Sequence, residues 1–271
     1  MRILGARGTT PVAGLDKQRY GGRTTCFELA ATPRRRILID CGSGLRLLHA
    51  ELSSDTGADP LDFHILLTHY HWDHIEGLPT FRPLYDPRNR FTFYGHSWAG
   101  KNVQGLLEEA LGPPWFPVGL KETPCEKRYE ELAEGTISLD GLRITAARLH
   151  HPQGVYGFRV ERGGRAVVIA TDHERGEPKA DGALLALSRG AEVLIHDAQF
   201  TPEEYALTYR GWGHSSWTHA VAAAREAGVP RLVLFHHDPD RTDTAVDDIV
   251  TAARRSFQDV RGAAEGMEFP L

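Results

Sequence analysis

The segment His69-Tyr70-His71-Trp72-Asp73-His74 places four potential metal ligands within six positions. An extended chain cannot bring all four to one tetrahedral ion. With His69 and His71 on one face and a turn redirecting Asp73 and His74, the set serves two adjacent ions, and imidazole plus carboxylate suits zinc, iron or manganese. Other ligand types stand where apolar runs end. Phe63–Leu67 leads into Thr68-His69, Ala166–Ala170 into Thr171-Asp172, Val193–Ile195 into His196-Asp197, and Leu232–Phe235 into His236. Strand ends along one rim of a sheet are rigid anchor points, so ligands placed there hold a fixed geometry.

Composition narrows the donor set. The chain of 271 residues has fourteen histidines but only three cysteines, Cys26, Cys41 and Cys125, an odd and scattered set that supports neither a disulfide framework nor a thiolate zinc cluster. Any metal must therefore be held by histidine and carboxylate. Hydrophobic residues at 41% and charged residues at 25% are ordinary globular values and exclude a disordered or fibrous chain. A net charge of −5 argues against duplex nucleic acid as the main partner, because such binding rests on neutralising phosphates with Lys and Arg. The stretch Met1-Arg2-Ile3-Leu4-Gly5-Ala6-Arg7-Gly8 lacks the apolar run of a signal peptide, and no run reaches bilayer length, so a cytoplasmic protein is expected.

The elements that must position these ligands are legible as short runs rich in Val, Ile and Leu. Strands are predicted at Arg36–Asp40, Phe63–Thr68, Arg90–Tyr94, Leu142–Ala146, Val155–Val160, Ala166–Thr171, Ala191–His196 and Arg231–His236. Helices are predicted at Gly44–Leu52 after Ser43, Ala180–Ser188 after Pro178, Trp217–Ala227 ending at Gly228, and Ala245–Phe257 after the cap candidates Asp243 and Thr244. Strands with few helices between them come first, and strand and helix alternate later. The pattern predicts an α+β fold, two sheets packed face to face with helices outside, as one domain over residues 1–271. Between Leu78 and Pro124 lie seven of the sixteen prolines, so much of this stretch is expected to be surface loop. Its Gly112-Pro-Pro-Trp-Phe-Pro117 centre reads either as a packed connection or as the wall or lid of a binding cleft.

The motif His69-x-His71-x-Asp73-His74, followed by a lone His, a lone Asp after a strand and a last His after another, resembles the metallo-β-lactamase fold superfamily. Gly5-Ala6-Arg7-Gly8, Gly21-Gly22, Asp40-x-Gly42-Ser43-Gly44 and Trp115-Phe116-Pro117-Val118 resemble features of its phosphodiesterase and tRNase Z-like branch, so the resemblance covers nearly the whole chain. It implies an αββα sandwich with the metals at one rim. It further implies that His69, His71 and His151 hold one ion, that Asp73, His74 and His236 hold the other, and that Asp172 bridges them. His151 is preferred to His150 because the family's ligand stands six residues before the Gly of a Gly-aromatic pair, here Gly157-Phe158. His236 is preferred to His237 because it directly follows its strand.

Two further motifs bear on the branch. Ile195-His196-Asp197-Ala198-Gln199 is similar to the His-Glu-Ala-Thr loop of tRNase Z, with Asp197 at the Glu position, and Gly213-His214-Ser215-Ser216 is similar to its His-Ser-Thr loop. In such enzymes the acidic residue orients a histidine that protonates the leaving oxygen. A carboxylate behind an imidazole fixes its tautomer and favours the protonated form, which suits a general acid near neutral pH. The alternative for His214 is a cap on the helix that starts near Trp217. The chain departs from the pattern twice. The arm that grips transfer RNA is inserted between the third and fourth metal motifs, yet His151 and Asp172 stand only 21 positions apart, and Arg23 occupies a place where related sequences carry Asn.

The resemblance and the residues together predict a hydrolase with two divalent ions, zinc first and manganese or iron admitted. Asp73, Asp197 and His214 are expected to carry catalysis. Two divalent ions, Asp73, Asp172 and one bridging hydroxide leave a site charge of about +1, which favours an anionic ester. The expected substrate is a small phosphodiester, a cyclic nucleotide or nucleotide-derived ester, with neither duplex nucleic acid nor membrane as partner and a homodimer admitted. A nuclease acting on single-stranded RNA or DNA ends is the competing enzyme. Arg82, Arg88, Arg90 and Arg34-Arg35-Arg36 are candidates for its channel, and each is otherwise a solvated charge. A non-catalytic metal-binding protein on the same fold is the alternative of another class. His49, His64, His96, His173 and His219 are expected to be structural.

Overall fold

The computed structural model describes residues 1–29, 32, 34–54 and 59–271. Among these residues the strands form two sheets. The first contains β1 (Arg2–Gly5), β2 (Cys26–Glu28), β3 (Arg35–Ile39), β4 (Asp62–Leu66), β5 (Arg90–Gly95) and β6 (Glu126–Glu131), paired in sequence order. β1, β2 and β3 are antiparallel neighbours, and β3 to β6 run parallel. The second contains β7 (Gly135–Leu139), β8 (Leu142–Leu149), β9 (Val155–Arg162), β10 (Arg165–Ala170), β11 (Val193–Asp197), β12 (Arg231–Phe235) and β13 (Val260–Gly262). Here β7 to β10 form an antiparallel meander and β10 to β13 run parallel.

Alternation along each strand divides the apolar residues between two layers, because successive side chains point to opposite faces. Ile37, Ile39 and Leu66 of the first sheet meet Ile169, Ile195, Val233 and Phe235 of the second in the central core. The rings of Phe27 and Phe235 stack across that interface with centroids 4.9 Å apart. Leu38, Phe63 and Ile65 face outward beneath α1 (Leu45–Ser54) and α2 (Val103–Ala110). Val168, Leu194 and Leu234 face outward beneath α3 (Pro178–Ser188) and two later helices, α5 (Trp217–Ala227) and α6 (Asp243–Arg254). A short α4 (Pro202–Glu204) widens into one loose turn over Tyr205–Tyr209. The layers are thus αββα, as expected, with strands buried on both faces where the runs are continuously apolar.

The predicted strands and helices are all present, most with shifted ends. α5 has the predicted bounds and stops at Gly228, which adopts the left-handed conformation that closes a helix. α6 is capped by neither Asp243 nor Thr244: the hydroxyl of Thr242 accepts from the Ala245 N–H at 3.2 Å. The Asp243 carboxylate instead accepts from the N–H groups of Arg19 and Tyr20, tying down the N-terminal loop. The proline-rich stretch is more ordered than its composition implies. It contains α2 as well as β5, and its prolines stand outside both. β9 and β10 are joined by Gly163 and Gly164 alone, both at positive φ, the two-residue hairpin that glycine favours. Among the described residues, no helix is long and apolar enough to cross a membrane.

Candidate metal centre

The ligand-type residues collect at one rim because parallel strands present their C-terminal ends together. His69 follows β4, His151 follows β8, Asp172 follows β10, Asp197 ends β11 and His236 follows β12. Asp40, Asp172 and His236 leave their strands in the left-handed region, at φ 58°, 54° and 60°. That conformation costs a non-glycine residue of order 1 kcal/mol and persists where the surroundings fix the side chain.

Two clusters share one carboxylate. His69, His71, His151 and Asp172 form the first, and Asp73, His74, Asp172 and His236 the second, each with candidate ligand atoms within 4.8 Å of one another. Asp172 Oδ2 lies 3.7 Å from His69 Nε2, 3.9 Å from His151 Nε2 and 3.4 Å from His236 Nε2. Its Oδ1 lies 3.2 Å from His74 Nε2. His71 turns Nδ1 to within 3.0 Å of His151 Nε2, and Asp73 Oδ2 lies 3.3 Å from His236 Nε2. Both clusters draw on both sheets. His69, His71, Asp73 and His74 follow the first sheet's β4, and the remaining members belong to the second sheet.

The opposite nitrogen of each ring is already engaged. His74 Nδ1 meets Asp40 at 2.8 Å, His69 Nδ1 meets the Thr68 hydroxyl at 3.0 Å, and His151 Nδ1 donates to Gly213 O at 2.7 Å. Gln153 Oε1 holds His71 Nε2 at 2.9 Å, and Gln199 Oε1 holds His236 Nδ1 at 3.2 Å. The buried Nε2 of His69 has no hydrogen-bond partner, and that of His74 faces the Asp73 and Asp172 carboxylates at 3.4 and 3.2 Å. Buried polar atoms without partners are rare, and rings anchored through one nitrogen with the other left open are how metal-bound histidines are oriented. The donor set therefore fits a binuclear divalent-metal site, with His69, His71, His151 and Asp172 around one position and Asp73, His74, His236 and Asp172 around the other.

Electrostatics without metal agree. Burial works against ionisation of Asp73 and Asp172, yet neighbouring histidines hold both carboxyls well below the usual range. Burial also works against protonation of His74 and His236, but the carboxylates around them raise both, His236 to about 9. Burial lowers His151 to about 4 and pushes His69 well down. Carboxylates and imidazoles packed this densely in a buried cluster share protons in the absence of metal, the electrostatic setting that fits a cation site.

Beside the second cluster, His214 Nδ1 meets Asp197 Oδ2 at 2.7 Å. The His214 ring stacks 4.8 Å from that of His236 and lies 5.1 Å from that of His151. His214 does not cap α5, where the Ser216 N–H points instead to His219 Nδ1 at 3.4 Å. Its loop is pinned by Glu174, whose buried carboxylate accepts from Gly211 N–H, Gly213 N–H and the Tyr205 hydroxyl at 2.7 to 2.8 Å. Glu174 and Gln153 carried no signal in sequence, whereas Asp40 and Gln199 stood in motifs of the resemblance without a role of their own. His196, although at a strand end, turns away from the rim and meets His173, because it alternates with Asp197 along β11. His150 and His237 lie outside both clusters, on Glu174 O and Ala263 O. His64, His96, His173 and His219 likewise lie outside them, in contact with Tyr94, Tyr70, Asp181 and Tyr205.

Residues 35–237, which span this whole arrangement, match the family described as the beta-lactamase superfamily domain. The chain belongs to the beta-lactamase superfamily. Its rim clusters have a geometry that fits the metal-binding active site of a metal-dependent hydrolase of that superfamily. This superfamily member is 26% identical to ribonuclease BN of Salmonella paratyphi C (strain RKS4594) over 287 residues, covering 86% of this chain and 88% of the relative. Its fold is similar to that of the metallo-beta-lactamase fold protein YhfI from Bacillus subtilis, with a TM-score of 0.72, 20% identity, and 99% and 98% of the two chains covered. It is also similar to a diphosphatase of the PhnP family, with a TM-score of 0.69, 19% identity, and 100% and 97% covered.

Proposed function

We propose that the protein is a phosphodiesterase acting on a small phosphodiester such as a cyclic nucleotide or nucleotide-derived ester. The observation that carries this reading is the His214–Asp197 pair at 2.7 Å, set against the rings of His236 and His151. Asp197 accepts from Nδ1–H, fixing the ring so that Nε2 gives its proton to the departing alkoxide oxygen. Acid catalysis of this kind serves an ester whose leaving oxygen needs a proton. Two divalent ions, when bound, make hydroxide available at neutral pH and offset the negative charge of the diester. The imidazole-rich donor set suits zinc, with manganese or iron as alternatives. The three cysteines are free and buried, which suits a reducing compartment, and we place the activity in the cytoplasm.

The test is turnover of bis-p-nitrophenyl phosphate and cyclic nucleotides by purified protein carrying two zinc ions. Hydrolysis of any of them supports the reading, and inertness toward all of them overturns it.

Similarity to ribonuclease BN favours a second reading, a nuclease on single-stranded ends. Two features weigh against it. The interval between His151 and Asp172 is closed by the two-glycine hairpin, leaving no arm to grip a folded RNA. Arg35 and Arg90 start strands β3 and β5, so they sit at the end away from the metal rim, on the Asp62 carboxylate. Arg36 pairs with Glu28, Arg34 with Asp59 and Arg88 with Asp86. Release of mononucleotides from a single-stranded oligonucleotide, at a rate exceeding cyclic nucleotide turnover, would establish the nuclease instead.

A further inference from the structure

A cavity of about 430 Å³ opens directly beside the first cluster, with His69 and His71 in its wall. Its lining also includes Trp98 and Trp115, residues that are 46% and 75% exposed, and Leu106 and Ala110 of the α2 helix contribute apolar surface. Large aromatic rings held at a surface without full burial are surfaces for something else to cover.

Trp98 is held there at a cost. It exchanges backbone hydrogen bonds with Lys101, 2.9 Å in each direction, across a two-residue turn in which Ala99 has φ 50° and Gly100 φ 80°. A strained alanine in so tight a turn marks a site where position matters. The turn is anchored next door, where the Glu131 carboxylate accepts from both the N–H and the hydroxyl of Ser97, at 2.7 and 2.8 Å. Trp115 comes from the Gly112-Pro-Pro-Trp-Phe-Pro117 stretch, stiffened on both sides by proline.

The Lys and Glu side chains of the cavity wall offset each other: Lys101 and Glu109 both line the cavity and pair, leaving a neutral, aromatic-walled space. Its volume suits a heterocyclic base with part of its sugar. Because the cavity adjoins His69 and His71, its occupant belongs to the molecule whose phosphate sits at the clusters. We propose that Trp98 and Trp115 form an aromatic subsite that stacks the nucleobase of a nucleotide-derived ester, making them the specificity-determining residues. The inference rests on the phosphodiesterase reading for its phosphate end and on the cavity for its aromatic end.

Titration of the zinc-loaded full chain with adenosine 5′-monophosphate and with ribose 5-phosphate reads the ring's contribution without turnover. The base tightens binding roughly tenfold to a hundredfold if it stacks. In Trp98→Ala and Trp115→Ala that ratio falls toward one, and Trp115→Phe retains most of it. Equal affinity for the two ligands, failure of both to bind included, overturns the subsite, as does a ratio unchanged in both alanine variants. Inertness toward bis-p-nitrophenyl phosphate counts against the proposed reaction alone and leaves this ratio readable.

Discussion

His74 Nδ1 lies 2.8 Å from the Asp40 carboxylate, so an acid at the end of β3 fixes a ring whose Nε2 faces Asp73 and Asp172. Asp40 is fully buried and also accepts from the N–H and hydroxyl of Thr68, both at 2.8 Å. Asp40→Ala frees the ring and strands its buried partners. Zinc affinity, read by competition with a chromophoric chelator, is expected to fall about 10–100-fold. Unaltered affinity would show that His74 is oriented by the backbone alone.

Removal of the proposed acid discriminates between leaving groups. His214→Ala is expected to slow esters with alkoxide leaving groups by about 10²–10⁴-fold, because those oxygens depart only when protonated. p-Nitrophenolate leaves without a proton, so its esters lose far less. Steady-state rates on both substrate types decide the matter, and equal losses reject the role. Asp197→Asn is expected to follow the same pattern, since an amide can favour the wrong tautomer.

Acidity gives a separate test in metal-free protein. His74 and His236 are raised above the unfolded histidine value near 6.5. Their contribution to stability is fully present below about pH 6.5 and is lost as pH rises toward the folded value, about 9 for His236. The depressed rings of His69 and His151 give an opposite slope near pH 6.5, where the unfolded rings are still partly protonated, but they are neutral in the folded protein with or without metal, so that slope cancels in the comparison. The Met1 amine, lowered by burial, works in the opposite direction, but it does so with or without metal. The melting temperature of chelator-treated protein is therefore expected to fall between pH 6.5 and 8 relative to that of zinc-loaded protein. A constant gap between the two forms contradicts the assignment.

Backbone approach at the site predicts three contrasting glycine substitutions. A Cβ on Gly8 would stand 2.3 Å from His236 Nδ1, and one on Gly213, at φ 92°, would stand 2.2 Å from His151 Nδ1. Gly8→Ala and Gly213→Ala must displace these rings, so both are expected to lose zinc before they lose the fold. Gly182 lies in α3 with open space around its missing Cβ. Gly182→Ala is expected to raise stability by about 0.5–1 kcal/mol in urea unfolding with zinc content unchanged.

The parts legible in sequence were those in which a strand's apolar period runs into a ligand. β10 and β12 announced themselves as nearly continuous Val, Ile and Leu and β4 as the shorter Ile65-Leu66-Leu67 run after Phe63, and His69, Asp172 and His236 stand just beyond those runs. His151 and His214 lie in loops and were reached only through the resemblance. β6 was hidden because Glu-Lys-Arg-Tyr-Glu-Glu has the composition of a solvated face, which an edge strand tolerates. α2 was hidden by the prolines that flank it. The anchoring of Glu174 on two backbone N–H groups is a matter of distant chain segments meeting, and no local pattern encodes it.

Each cluster takes members from both sheets. An ion in either position is thus a rivet through the sandwich at one rim, whereas toward the opposite end, where Gly163 and Gly164 turn, the sheets are linked by the partly exposed Arg35–Asp140 ion pair. The molecule is built like a book held at its spine. Amide exchange is expected to proceed from the hairpin tip inward while the rim stays protected, and stripping the ions should let the pages part from both ends, turning the metal site into the part that governs how long the protein survives proteolysis.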